Sequence, residues 1–250
     1  IVAVFAVAAI ALFLFFDPND FREEIAAAVH ESTGRELQIE GEISVQLFPW
    51  LAVEMGRTVL GNAEGFGDEP FAELDHARLS VRLLPLLLRQ EAQVGAAEID
   101  GLNLNLAVDR SGRTNWDDLL EASNGQAEAS EGAKEARALD ISGVDINSAS
   151  ITYATPQKGD RYELTDVNVA FGRVSNDGSP IPASGSLHFD VQPSGYSGDV
   201  ELESELVFDA SNGVFTLNGF SMQGVANGIV ESPTRMSFAT DGMEIRSAEN

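Results

Sequence analysis

The sequence predicts a mainly β protein, built as an antiparallel sheet with one amphipathic helix near the N-terminus. Over most of the chain after residue 36, apolar and polar residues alternate with a period of two, which is typical of strands with one face in water. Turn sequences containing glycine, asparagine or proline separate these runs. Parallel pairing would need crossover helices, for which the sequence contains no pattern, so antiparallel pairing is favoured.

Composition excludes several classes of protein. The chain has 250 residues, of which 44% are hydrophobic, so it is long enough to bury a sizeable core. Its 40 acidic and 15 basic residues give a net charge of −25, and such a field repels polyphosphates, so we expect no nucleic-acid partner. The chain contains no cysteine, which excludes disulfides, thiolate nucleophiles and zinc–thiolate or iron–sulfur sites.

Residues 1–16, IVAVFAVAAIALFLFF, contain no charged or polar side chain. As a helix this segment would be about 24 Å long, short of a hydrocarbon core of roughly 30 Å, and the sequence does not begin with methionine. We interpret the segment as part of a truncated transmembrane anchor; the apolar region of a signal peptide and a buried core helix are the alternatives. The flank that follows is acidic, whereas cytoplasmic flanks are rich in Lys and Arg. We therefore expect the rest of the chain to lie outside the cytoplasm.

The amphipathic helix is predicted directly after this segment. Asp17 is suited to cap a helix whose first residue is Pro18, since proline lacks the amide that a first helical turn leaves unpaired. Apolar residues then recur at helical spacing, at Phe21, Ile25, Ala28 and Val29. Gly34 provides the stop signal.

The predicted strands have one apolar and one polar face. The clearest apolar positions are Leu37, Ile39, Ile43, Val45 and Leu47; Leu79, Val81 and Leu83; Leu102, Leu104, Leu106 and Val108; Leu187, Phe189 and Val191; and Val200, Leu202, Leu206 and Phe208. Between Leu164 and Val167 the apolar positions change parity, which predicts a bulge or strand break near Asp166.

A polar segment divides the strand-rich sequence in two. In residues 121–138 no side chain is both apolar and larger than alanine, so the segment cannot bury enough surface to offset its ordering entropy and is predicted to be a linker or disordered loop. We therefore expect an anchor at 1–16, a helix and first β region at 17–120, the linker at 121–138, and a continuing antiparallel β region, truncated at its C-terminus, at 139–250.

One helix cannot cover the apolar faces of so many strands. Three solutions exist: a second sheet in a sandwich, closure into a barrel, or an apolar ligand held in a groove. Periodicity alone does not choose among them.

The sequence offers no catalytic or cofactor-binding pattern, so we expect no enzyme and no cofactor. His30, His76 and His188 are not arranged at ligand spacing, and we expect no metal site. Glycine-rich phosphate loops and nucleophile elbows are absent.

The segment DRSGRTNWDDLLE, residues 109–121, gathers four carboxylates, as a metal or catalytic site would. As an EF-hand it fails, because Gly112 stands at position four rather than six and Leu120 stands at position twelve. Asp117 and Asp118 are adjacent and could not flank a glycosidic bond from opposite sides. We interpret the segment as a turn in which Gly112 has positive φ, followed by a helical turn capped by Asn115, with its carboxylates in solvent and Trp116 over the sheet end.

Three segments, taken in order, resemble the AsmA family. They are TGRELQIEGEISVQLFPW (33–50), LGNAEGFGDEPFAELDHARLSVRLLPLL (60–87) and DGLNLNLAVDRSGRTNWDDL (100–119), and the run DPNDF after an apolar segment also fits. From residue 139 onward only the style of short amphipathic strands is similar.

This resemblance implies a bacterial inner-membrane protein with a single N-terminal anchor and most of its chain in the periplasm. It implies an elongated, twisted, taco-like antiparallel sheet whose apolar groove carries phospholipid acyl chains, as in repeating-groove bridge-like lipid-transfer proteins. The implied role is phospholipid transport between inner and outer membrane in support of outer-membrane biogenesis, with envelope assembly proteins as further partners. The family provides no catalytic residues to carry over.

On this interpretation, the candidate groove residues are Val45, Leu47, Leu79, Val81, Leu104, Leu106, Leu187, Phe189, Leu202 and Leu206. Two alternatives stay open at this point. These residues could form an ordinary protein core, and the protein could act as a structural or regulatory module in outer-membrane protein assembly without carrying lipid.

Overall fold

A computed structural model describes residues 17–46, 51–81, 94–119, 140–155, 160–175, 179–209 and 214–246. The predicted anchor at 1–16 and the linker at 121–138 lie outside these residues. Within the described residues, no helix combines the length and the apolar character that a membrane crossing requires.

The predicted helix is confirmed at both ends. A 3₁₀ turn, Pro18–Phe21, precedes helix α1, Arg22–Thr33, and the Asp17 side chain accepts a hydrogen bond from the amide of Asn19 at 2.9 Å. Gly34 ends the helix with φ 72°. The helix buries none of its residues, so it does not cover the sheet.

Within the described residues, fifteen strands follow in one sheet. They are β1 Leu37–Ile39, β2 Ile43–Gln46, β3 Leu51–Met55, β4 Thr58–Leu60, β5 Ala72–Leu74, β6 His76–Val81, β7 Val94–Asp100, β8 Asn103–Ala107, β9 Asp140–Thr155, β10 Asp160–Phe171, β11 Val174–Ser175, β12 Ile181–Gln192, β13 Tyr196–Asp209, β14 Val214–Asn227 and β15 Thr234–Arg246.

The short N-terminal strands join end to end as four long, bent strands. Along one half of these long strands, β1 pairs with β4, β4 with β5 and β5 with β8. Along the other half, β2 pairs with β3, β3 with β6 and β6 with β7. Strand β9 is long enough to pair with β7 along one half and with β8 along the other. From β9 the sheet continues through β10, β12, β13, β14 and β15.

The prediction of an antiparallel sheet is right for most strands and wrong at one place. β9 lies parallel to β7 and β8, so the sheet is mixed. The connection from β8 to β9, residues 108–139, is long enough for the chain to return to the end of the sheet from which β8 starts, as parallel pairing requires.

The predicted bulge in β10 is confirmed. Its pairing with β9 shifts between Leu164 and Val167, where Asp166 has φ 50°, and β9 has a matching irregularity at Ser148 with φ 52°. Each bulge changes the parity of its strand, so Leu164 and Val167 both reach the same face.

The sheet has only a thin core. Among the described residues, the buried apolar side chains are Ile43, Ala52, Phe71, Ala149, Val167, Ile181 and Ala226. Strands β1, β2 and β15 each have one neighbour, so the described strands form an open sheet rather than a barrel or a sandwich. The described strands therefore adopt neither the sandwich nor the barrel, which are the two solutions that would cover the apolar faces with protein alone.

Candidate functional site

The candidate groove residues on the N-terminal strands share one face of the sheet. Val45 lies opposite Val53, and Val53 lies opposite Leu79. Val81 lies opposite Leu51 and Val94. Residues opposite each other on neighbouring strands point to the same side, so Val45, Leu79 and Val81 lie on one face. Leu47 lies outside the described residues.

The same face continues through the centre of the sheet. Leu104 lies opposite Ile151, Ile151 opposite Leu164, and Leu164 opposite Phe189. Leu106 lies opposite Tyr153 one step further along. The two halves connect across β9, where bulged Ser148 allows Ile146 and Ile151 to share this face.

The C-terminal candidates complete the row. Leu187 lies opposite Val200, Leu202 opposite Met222, and Leu206 opposite both Ile181 and Leu217. The register thus places all nine described candidates on one side of the sheet, hereafter the apolar face.

The apolar face is open to solvent within the described part of the chain. Val53 is 43% exposed, Leu79 46% and Phe238 50%. Exposed apolar surface that continues over many strands is unusual for a free-standing soluble protein and typical of a binding surface.

Residues on β14 and β15 belong to this face but were missed by sequence reasoning. Met222 lies opposite Phe238, and the Phe220 and Phe238 rings are 6.0 Å apart. The alternation on β14 breaks at Gly219, which has φ 58°, so Leu217 and Phe220 have different parity. A search that allows one parity change at a glycine would have found them.

The opposite side of the sheet, hereafter the polar face, carries charge. Arg78 lies between Glu54 at 3.4 Å and Glu98 at 3.9 Å. Asp199, Glu201, Glu203 and Glu205 follow each other at alternate positions of β13. His188 on this side is 2.8 Å from Asp199. The sheet therefore separates an apolar surface from a strongly acidic one.

A row of backbone irregularities crosses the N-terminal half of the sheet. The Gly41 amide donates to the Arg57 carbonyl at 2.9 Å, and the Gly56 amide donates to the Glu42 carbonyl at 3.0 Å. In the following strands the breaks fall at Asp75, Gly101, Ser148 and Asp166. We use the name crease for the six residues at these breaks, which are Gly41, Gly56, Asp75, Gly101, Ser148 and Asp166. Because each break lies beside the next, the strands change direction along one line.

The turn in segment 109–121 is confirmed, and Gly112 has the expected positive φ of 87°. Asp109 accepts hydrogen bonds from the amides of Ser111 at 2.8 Å and Arg113 at 3.0 Å. These bonds, with those from both side chains, hold the pKa of Asp109 far below its usual range. This carboxylate stabilises the turn.

The predicted cap of the next helical turn was wrong by one residue. Asp117 accepts hydrogen bonds from the amide and hydroxyl of Thr114, which lowers its pKa, so Thr114 and Asp117 form the cap. Asn115 is instead fully buried. Its side chain donates to the Asn105 carbonyl at 2.7 Å and accepts from the Ala107 amide at 2.9 Å, which ties the segment to β8.

The prediction that all these carboxylates are solvated was wrong for Asp118. It receives two hydrogen bonds from Arg35, and these lower its pKa. Arg35 is 2% exposed, lies over the Phe71 ring at 4.5 Å and also donates to the Asn115 carbonyl at 2.6 Å. Sequence reasoning missed this contact because its partners are far apart in the chain. Trp116 does lie against the sheet, 6.4 Å from the Tyr153 ring.

The three histidines lie apart, on α1, β6 and β12. No group of three or more His, Asp or Glu side chains within the described residues is arranged to hold a metal ion.

Comparison with known proteins agrees with the resemblance in the sequence. The model of the AsmA family matches residues 1–209. The protein AsmA of Escherichia coli strain K12 is 39% identical over 80 residues, which are 32% of this chain and 13% of that protein. The matched part thus spans a small fraction of that relative. Since the family model covers well over half of the chain, the protein belongs to the AsmA family.

Proposed function

We propose that the protein binds phospholipid acyl chains on its apolar face and conducts them between the two membranes of a bacterial envelope. The observation that carries this proposal is the alignment of nine predicted apolar residues on one uncovered face of a single sheet. Membership of a family associated with outer-membrane assembly and lipid transport supports it.

The energetics of this face suit a lipid ligand. Removing an acyl chain from water gains about 0.8 kcal/mol for each buried methylene. Between 43% and 50% of the surface of Val53, Leu79 and Phe238 remains exposed. Covering these side chains with an acyl chain would therefore be favourable. An apolar surface binds acyl chains without fixed polar partners and so accepts tails of different length, as transport requires.

The proposed location of this activity rests on the sequence. The apolar segment 1–16 is proposed to anchor the chain in the inner membrane, with the acidic remainder in the periplasm. The polar face would be in water, since its carboxylates, including Glu201 and Glu203, are exposed.

We further propose that the protein is not an enzyme. Three of the four carboxylates that suggested a site have a structural role: Asp109 holds a turn, Asp117 caps a helical turn and Asp118 pairs with Arg35. The fourth, Glu121, lies outside the described residues. Transport would be passive, and its direction would depend on an external source of energy.

A structural role in envelope assembly is the second candidate, and the open edge of β15 favours it. This strand has β14 as its one neighbour among the described strands, and the edge of such a strand can pair with an extended segment of an assembly protein. On this alternative the apolar face would be covered by protein.

Variants of two adjacent residues on β15 test the proposal. Phe238 belongs to the apolar face, while Ser237 is exposed on the polar face. We expect Phe238→Asp, combined with Leu79→Asp, to reduce the phospholipid that copurifies with the full-length protein, measured by native mass spectrometry. Ser237→Asp provides the matched control. Equal lipid in both variants, at unchanged thermal stability, would rule out the apolar face as the binding site.

A further inference from the structure

The three tyrosines of the chain lie along one rim of the apolar face. Tyr153 is near the end of β9, Tyr162 near the start of β10 and Tyr196 at the start of β13. Tyr162 lies opposite both Tyr153 and Val191, and Val191 lies opposite Tyr196. The register therefore places all three on the apolar face, at the same end of the strands.

Trp116 extends this row, which we call the tyrosine rim. Its ring is 6.4 Å from that of Tyr153, and the Tyr153 and Tyr162 rings are 6.0 Å apart with tilted planes. Tyr162 is 41% exposed and Tyr196 is 44% exposed. The rim is thus a contiguous aromatic surface that still reaches water.

The other end of the same strands has a different chemistry. There the apolar face presents Phe171 on β10, Ile181 on β12 and Leu206 on β13. Ile181 is 7% exposed. The side chains of this face therefore change along the strands, from hydroxyl-bearing rings at one rim to Phe171, Ile181 and Leu206 at the other.

Such a gradient selects an occupant with one polar end. Tyr and Trp favour the boundary between hydrocarbon and water, because the ring is buried while the O–H or N–H reaches a polar partner. A purely apolar occupant would offer the hydroxyls of Tyr162 and Tyr196 no hydrogen-bond partner.

We infer that the tyrosine rim holds phospholipid headgroups at the level of the phosphate and ester carbonyls, and that the acyl chains run from it along the strands towards the crease. This inference rests on the proposed function and adds the orientation of the lipid. From Tyr153 to the crease at Ser148 the strand spans roughly 16 Å at ~3.3 Å per residue, close to half of a ~30 Å hydrocarbon core. One acyl chain of a bilayer leaflet therefore fits this distance.

Depth-dependent quenching of Trp116 tests the orientation. In the 250-residue chain carrying Trp50→Phe, Trp116 is the remaining tryptophan. The probes are phosphatidylcholines brominated either near the ester carbonyls or near the chain ends. A zwitterionic lipid is chosen because the net charge of −25 disfavours anionic ones.

We expect the lipid brominated near the carbonyls to quench Trp116 about twofold more strongly, since bromine quenches by contact and Trp116 lies in the rim. Equal quenching, or stronger quenching by the chain-end probe, would overturn the orientation while leaving lipid binding intact. If Trp116 is not quenched but native mass spectrometry still detects bound lipid, the headgroup site at the tyrosine rim is wrong. If no bound lipid is detected either, the proposed function is wrong as well.

Removal of the hydroxyls provides an independent test. Tyr162→Phe combined with Tyr196→Phe keeps both rings, and we expect it to weaken phosphatidylcholine binding about fivefold, as for the loss of one or two hydrogen bonds. Ser237→Ala removes a hydroxyl from the polar face and should leave binding unchanged. Unchanged binding in the double tyrosine variant would overturn the hydrogen-bonding role of the rim.

Discussion

The guanidinium of Arg35 binds both carboxylate oxygens of Asp118, at 2.5 and 2.7 Å, across 83 residues of sequence. The arginine is 2% exposed and the aspartate side chain is 32% exposed. This pair joins the second residue after α1 to the helical turn beyond β8. It therefore fixes both ends of the first β region to each other.

Loss of this pair should destabilise the protein. Asp118→Asn leaves the buried Arg35 without a counter-charge, and we expect about 2 kcal/mol of lost stability, less than for a fully buried pair because Asp118 remains partly exposed. Urea unfolding of the full chain measures the effect. Arg57→Gln breaks the pairs with Glu40 and Glu73 at the exposed side chain of Arg57, and this control should cost less than about 1 kcal/mol.

The same pair predicts how stability depends on pH. Arg35 lowers the pKa of Asp118 in the folded protein relative to about 3.9 in the unfolded chain. The unfolded state therefore binds the proton more readily, so the stabilisation is complete above about pH 4 and is lost as the pH falls towards and through the folded pKa. Unfolding midpoints of wild type and Asp118→Asn should converge on acidification; a constant difference down to the acid limit would contradict this assignment.

Asn115 should be as sensitive to substitution as an apolar core residue. Asn115→Ala leaves the Ala107 amide and the Asn105 carbonyl without these partners in a buried place, and we expect a loss of about 2–3 kcal/mol. Asn19→Ala, which removes hydrogen bonds to the Ile43 backbone at a partly buried site, should cost less. Thermal unfolding followed by circular dichroism compares them, and equal losses would mean that burial does not determine the cost.

Alanine substitution at two glycines with positive φ distinguishes the cost of backbone strain from the cost of a steric clash. Gly101 and Gly112 have φ 66° and 87°, but a Cβ at Gly101 would lie 2.2 Å from an Asp75 oxygen, whereas a Cβ at Gly112 would meet nothing within 4 Å. Gly112→Ala should therefore cost only about 1 kcal/mol from strain. Gly101→Ala should cost at least twice as much, because the Asp75 side chain, whose Cβ would lie only 2.9 Å away, must also be displaced. Chemical unfolding of both variants measures the difference, and similar costs would show that the crease tolerates displacement.

The Ser148 bulge offers a prediction of opposite sign. A serine at φ 52° carries strain that glycine does not, so Ser148→Gly should stabilise the protein by up to about 1 kcal/mol, since its backbone bond to Asn168 is kept. Ser150→Gly, on the same strand without positive φ, should destabilise it. A destabilised Ser148→Gly variant in thermal unfolding would mean that the serine side chain has a role the backbone does not explain.

Much of the sheet could be predicted because its information is local. Alternation identified one face of β2, β6, β8, β12 and β13, and the parity change at Leu164 located a bulge. Asp17 and Gly34 defined the limits of the helical region by capping chemistry that acts within a few residues.

The remainder depended on contacts between distant parts of the chain. The parallel placement of β9 follows from what the connection 108–139 permits rather than from any periodicity. The pair of Arg35 with Asp118 and the burial of Asn115 arise only when the loop closes onto α1 and β8. From the sequence alone, polar residues like these are predicted to be solvent-exposed, because the hydrophobic pattern contains no signal for a polar group that is buried and fully hydrogen-bonded.

The serial order of the strands has a consequence for how the chain acquires its structure. From β9 onward each strand pairs with one that is close to it in sequence, so hairpins can add to the sheet one after another with little loop-closure entropy. The pairing of β9 with β7 and β8 is the exception, since it must close the connection 108–139 first. We therefore expect this docking step to limit the folding rate, and the hairpins that follow it to form quickly on the edge it provides.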